Sequence, residues 1–167
     1  MSKAERTRTA LRATALKHFV ADGFEAASVP AIAAEVGVTE RTFYRHFATK
    51  DEVLFADLTE GLAWFRQAIR ARPVSEDLIS SVLESLGSAP TDPRLLVEIA
   101  RLRRELLSPE RIERVFRDRQ AAMARELRQL LGDRGVAELD AAVRAEALAG
   151  AVFAAVAVWS EEPDPDL

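Results

Sequence analysis

Residues 28–47 read SVPAIAAEVGVTERTFYRHF, and the reading of that stretch decides the fold. Ser28 offers a hydroxyl to the free amides of a first turn. Pro30 falls within that turn, where a missing N–H costs little. Ile32, Ala33 and Val36 form the inner face of the short helix that follows, and Gly37 ends it. Thr39 then caps another short helix that runs to Phe47. Two short helices joined by a turn containing glycine make a helix-turn-helix. Such helices cross steeply, so small residues are needed where they meet, and Ala33, Ala34 and Gly37 supply them. Val38, Phe43 and Phe47 turn inward with Ile32 and Val36. A helix this short is not stable alone in water, so flanking helices must prop it, with Phe19 and Leu54 completing the core.

The other face of the Thr39–Phe47 helix then presents Glu40, Arg41, Thr42, Tyr44, Arg45 and His46. That face suits DNA. Arg41 can give two donors to guanine O6 and N7, and Thr42 can meet a thymine methyl or a phosphate. Tyr44 and His46 have donors at the reach of backbone phosphates. Lys50 adds a cation at the start of the next helix, beside amides already favourable to anions. Ser28 and Thr39 can offer hydroxyls and amides. Each residue also has a plain structural alternative. Ser28 and Thr39 can be caps alone, the arginine a solvated charge, and the tyrosine and histidine surface or core side chains.

Outward from this stretch the chain reads as all-α. Ala, Leu, Arg and Glu dominate the 167 residues, and strand-like alternation is absent. A first helix is expected from Lys3 to Ala21, with Leu11, Ala15, Leu16, Phe19 and Val20 at helical spacing. Gly23 suits the left-handed position after it, and Phe24 folding back on Phe19 would complete a Schellman ending. A long fourth helix is expected to open at Thr49 or Lys50 and close near Pro73. Four more follow, over 75–86, 93–107, 109–131 and 136–160. Gly87-Ser88-Ala89-Pro90, Ser108-Pro109 and Gly132-Asp133-Arg134-Gly135 separate them.

The stretch SVPAIAAEVGVTERTFYRHFATKDEVL, residues 28–54, resembles the DNA-binding domain of the TetR (tetracycline-repressor-like) family of transcriptional regulators. The match lies at Ile32-Ala33, Gly37-Val38, Thr42-Phe43-Tyr44, His46-Phe47, Lys50-Asp51 and Leu54, with Phe19, Gly23 and Phe24 upstream. Ser28 stands where Thr is commoner, and Pro30 where some members place a polar contact. The resemblance implies a homodimer that binds a palindromic double-stranded DNA operator, each subunit laying its third helix in the major groove. By family pattern Thr42, Tyr44, His46 and Lys50 touch backbone or groove. Arg41 is the candidate for reading a base. Residues 1–50 would form the DNA-binding domain and 51–167 a helical bundle for effector binding and dimerisation. Members ordinarily carry a further helix after the position of Trp159. Here EEPDPDL stands there, so either the bundle lacks that helix or the sequence is incomplete.

For the effector, an unknown small molecule, the expected walls are Trp64, Phe65, Leu102, Phe116 and Phe153. Arg101, Arg103 and Arg104 read more readily as a solvated face than as an anchor for an anion. The alanines among Val152, Phe153, Val156 and Trp159 permit close helix approach, so the last helix serves either a dimer seam or an ordinary intrachain core.

Charge agrees with this division. Residues 1–50 carry eight Lys/Arg against five Asp/Glu, and 51–167 carry 15 against 22. The basic excess is modest, and scatter in fifty residues would also produce it. There is no cysteine, hence no disulfide or thiolate metal site. His18 and Asp22 share a helix face, but two ligands are too few for structural zinc. No glycine-rich phosphate loop is present. Neither metal, cofactor nor enzymatic activity is expected. The N-terminus has no apolar signal core, and the run Ala145–Trp159 is too short to span a bilayer, so a soluble cytoplasmic protein with no membrane partner is expected. Activation instead of repression is an alternative. So is a helical interaction module without DNA binding, against which Tyr44, His46 and Lys50 stand, because folding does not require the three together.

Overall fold

A computed structural model describes residues 2–90 and 93–161. Among them are eight α-helices, one 3-10 turn and no strand. Contacts divide the chain into two units, Met1–Ala56 with Glu105–Leu107 and Asp57–Arg104 with Ser108–Leu167.

The first unit holds α1 (Lys3–Asp22), α2 (Val29–Val36) and α3 (Glu40–His46). Ser2 caps α1 in a capping box with Glu5. Leu11, Ala15 and Phe19 from α1, Ile32 and Ala33 from α2, and Phe43 and Phe47 from α3 make a closed core with Val53, Leu54, Phe55 and Ala56. Val20, expected on the inner face, is 66% exposed. Gly37 is left-handed, and its N–H and that of Val38 return to the carbonyls of Ala34 and Ala33. That is the Schellman pattern, which leaves α3 free to start at a new angle. At Gly23 the expectation holds only in part. Phe24 does fold onto Phe19, edge to face with centroids 5.1 Å apart. The glycine itself adopts φ 83, ψ 154, outside the left-handed helical region, so the chain departs extended.

The expected fourth helix does not open at Thr49. Asp51–Val53 is a 3-10 turn, and α4 spans Ala56–Arg70. The cause is burial: Val53, Leu54, Phe55 and Ala56 are all at most 1% exposed. Four consecutive residues point around most of a helix circumference at 100° each, so a regular helix here could not bury them on one side.

The second unit holds α4 with α5 (Leu78–Gly87), α6 (Pro93–Leu106), α7 (Pro109–Asp133) and α8 (Glu138–Trp159). Its core gathers Phe65 and Ile69, Val82, Met123, Ala124, Leu127 and Leu130, and Ala145 and Ala149. Asp77 caps α5, accepting from the Ser80 amide at 3.0 Å, so that helix starts later than the sequence suggests. Gly132 and Asp133, expected in a loop, instead belong to α7. The apolar run judged too short for a bilayer belongs to a 22-residue helix, α8, long and apolar enough by length and composition to cross one. The end EEPDPDL lies, after Glu161, outside the described residues.

Candidate nucleic-acid interface

α3 is seven residues long and capped by Thr39, whose Oγ1 accepts from the Thr42 amide at 3.3 Å. Phe43 and Phe47 are fully buried. At roughly 100° per residue, Arg45 lies opposite the midpoint between them and Arg41 about 40° to one side of that direction. Both arginines are exposed. Thr42 and His46 occupy one flank of α3 and Tyr44, 45% exposed, the other. Tyr44 rests its ring edge against Phe43, centroids 5.5 Å apart, which fixes the phenol's direction. Ser28 is exposed, and its Oγ accepts from the Ala31 amide at 3.4 Å. It acts as the cap of α2. Of the three small residues expected at the helix crossing, only Ala33 is buried; Ala34 and Gly37 face out.

Lys50 is placed differently from the other cations. Its Nζ donates to the carbonyls of Glu25 at 3.1 Å and Ala27 at 3.3 Å. The ammonium also stands 4.6 Å over the Phe24 ring. These bonds hold the α1–α2 connection just before Ser28. Folding therefore has its own use for Lys50, which weakens the argument that folding does not require Tyr44, His46 and Lys50 together.

His46 ends α3. Its Nε2 is buried with no hydrogen-bond partner among the described residues. Burial, with Arg45 and Arg8 nearby, lowers its pKa below the usual histidine value, so the ring is neutral at pH 7. Its carbonyl accepts from Arg8 Nη1 at 2.5 Å, and the Arg8 guanidinium lies 4.4 Å from the centre of the Phe47 ring. A cation on the last carbonyls of a helix opposes the negative end of its dipole. Arg8 thus ties the start of α1 to the end of α3. Its signal was present in the sequence: Arg8, Leu11, Ala15 and Phe19 share one face of α1, and an arginine on an inner face needs a partner.

His18 bridges α1 to α2, with Nε2 2.9 Å from Glu35 Oε2 and Nδ1 3.2 Å from Asp22 Oδ2. The Glu35 hydrogen bond, and then that to Asp22, raise its pKa. Among the described residues, no cluster of three or more such side chains could hold a metal.

The five expected effector walls, Trp64, Phe65, Leu102, Phe116 and Phe153, differ in exposure within the second unit. Phe65 is 2% exposed within the core. Phe116 and Phe153 meet edge to face at 5.9 Å, and Phe153 packs on that same core. Leu102 is half-buried. Trp64 faces out, its Nε1 donating to Ser88 Oγ at 3.1 Å. The arginines also depart from expectation. Arg103 is 3% exposed and pairs with Asp57, a buried ion pair between α6 and α4. Arg104 donates to the Ser160 carbonyl at 3.0 Å. The reading of all three as a solvated face fails at Arg103.

Residues 11–56 match the family model for bacterial regulatory proteins of the tetR family. Over 80 residues the chain is 39% identical to the HTH-type transcriptional regulator TcmR of Streptomyces glaucescens, covering 48% of this chain and 35% of TcmR. Over 102 residues it is 29% identical to the HTH-type transcriptional regulator UidR of Escherichia coli (strain K12), covering 59% of this chain and 52% of UidR. The chain thus aligns with about a third to a half of these relatives' lengths. A crystal structure of a transcriptional regulator from Rhodococcus sp. Rha1 superposes with a TM-score of 0.48 at 20% identity, covering 97% of this chain and 86% of that one.

Proposed function

Because residues 11–56 match the family model for bacterial regulatory proteins of the tetR family, we propose that the chain is a ligand-responsive repressor of that family that binds a palindromic DNA operator as a homodimer. The match at residues 11–56 and the likeness to TcmR and UidR support the reading as a transcriptional regulator. The observation that carries the proposal is the division of α3, with Phe43 and Phe47 sealed inside and Arg41 and Arg45 standing outside.

In this reading α3 enters the major groove. Arg41 reads a guanine edge, while Thr42, Tyr44 and the capping residues Thr39 and Ser28 meet phosphates. His46 lines the flank, and Lys50 sets the approach of α2 from within the fold. The second unit takes the effector, beside Phe116, Phe153, Leu102 and Trp64, and forms the dimer. Supporting the dimer is a stripe on α8: Leu139, Val143, Ala147, Ala151, Ala154 and Val158 recur at helical spacing, and all are exposed in the protomer. The alanines at its centre permit close approach of a second copy. An effector that binds one of two states better shifts the population away from the half-site separation the operator requires. Such a regulator acts in the cytoplasm, where the DNA lies.

The test is binding to a random-sequence duplex at two salt concentrations. Affinity should fall steeply as salt rises, because phosphate contacts release counterions. No binding, or binding insensitive to salt, would contradict the reading.

A further inference from the structure

We propose that the cleft between the first turns of α1 and the Thr42–His46 flank of α3 is a subsite for a backbone phosphodiester of the strand bordering the groove, with Lys3 and Arg45 as its cations. This rests on the operator reading above and adds α1 to it, an element outside the helix-turn-helix.

The cleft has a volume of about 470 Å³ and lies wholly within the first unit. Lys3 and Thr7 line it from α1, and Thr42, Arg45 and His46 from α3. No carboxylate lines it. Neither Lys3 nor Arg45 has a carboxylate partner among the described residues. Two unpaired cations beside one concavity repel each other, and an anion between them relieves that repulsion. His46 lines the cleft as well. Arg8 keeps the two walls together through the His46 carbonyl, so the cleft exists before any ligand arrives. Its place also fits. Arg41 and Arg45 mark the centre of the outward face, and Thr42 and His46 its edge nearer α1. When the centre of α3 lies over base edges, that edge lies over sugar and phosphate, because the strands border the groove.

The experiment uses the full chain and its Lys3→Gln and Lys3→Arg variants. Lys3 is exposed and at the start of α1, so thermal melts of the three should coincide. Duplex affinity is measured against salt. Lys3→Gln should reduce the slope of log K against log salt by about 0.9, so that a fourfold rise in salt weakens it about threefold less than the parent. Sequence preference should be unchanged, and Lys3→Arg should restore the slope. If the parent shows the steep salt dependence and Lys3→Gln matches it, the cleft assignment fails and the operator reading stands. If the parent binds no duplex, both fail together. A parallel titration with inorganic phosphate, followed at the Thr7, Thr42 and Arg45 amides, separates the two sources of the anion. Tight phosphate binding without any change in duplex slope for Lys3→Gln would assign the cleft to a free anion and overturn the proposal.

Discussion

Lys50 directs its ammonium inward, and the energetics of that choice are testable. Two hydrogen bonds from a charged donor to the carbonyls of Glu25 and Ala27, with Phe24 beneath, organise the connection that delivers Ser28 to α2. Charge-assisted hydrogen bonds contribute about 1.5–3 kcal/mol when protected, and less where water competes, as at this half-buried site. Lys50→Met keeps the stem on Phe24 and removes the bonds. Its unfolding free energy in urea should fall by about 1–2 kcal/mol. If the variant unfolds like the parent while every duplex binds more weakly, Lys50 is a phosphate contact instead. The sequence made Arg41 legible, because helical spacing from Phe43 and Phe47 puts it outside. Arg45 was equally legible by the same arithmetic. The partners of Lys50 were not, since backbone carbonyls leave no signature in the residue types around them.

Among the elements, α1 and α2 are joined at their surface by His18 between Asp22 and Glu35. Both carboxylates raise the histidine's pKa in the fold above its ordinary value of 6.5. A group whose folded pKa is raised favours the fold most when protonated. Its contribution is therefore complete below pH 6.5 and is lost as pH rises through the folded value. Unfolding midpoints of the parent should fall across that window, and His18→Gln should flatten this part of the profile. A parent profile that matches the variant's from pH 5 to 8 would remove the clasp from the account. Element types and caps at Ser28, Thr39 and Gly37 were legible because each rests on local chemistry. The opening of α4 was not. Helical spacing continues through Val53–Ala56, but tertiary burial of four successive residues overrides it. The extension of α7 through Gly132 shows a related limit, since glycine in a helix costs only about 1 kcal/mol and packing readily overcomes it.

For the whole molecule, α8 sets the requirement. Only 17% of its most apolar stretch is buried, and its stripe from Leu139 to Val158 leaves apolar area open to water that a second copy would cover. Sedimentation equilibrium at micromolar concentration should give a dimer, and Ala151→Glu should give a folded monomer with much weaker operator binding, because a charge placed at a close helix contact is poorly solvated. A monomeric parent would contradict this arrangement. The expected two-part division rests on the contrast between the basic start and the acidic remainder, together with the motif at residues 28–54. Burial of Phe65 in the core was not legible, because aromatic residues at helical spacing serve a packed core as readily as a pocket. The central claim is that the outer face of α3 reads DNA sequence, and selection of bound sites from a random duplex library tests it most directly. The parent should enrich a palindrome, and Arg41→Ala should bind that palindrome about 1–3 kcal/mol more weakly and lose preference at one position of each half-site. An absence of enrichment, or enrichment identical for parent and variant, would contradict it.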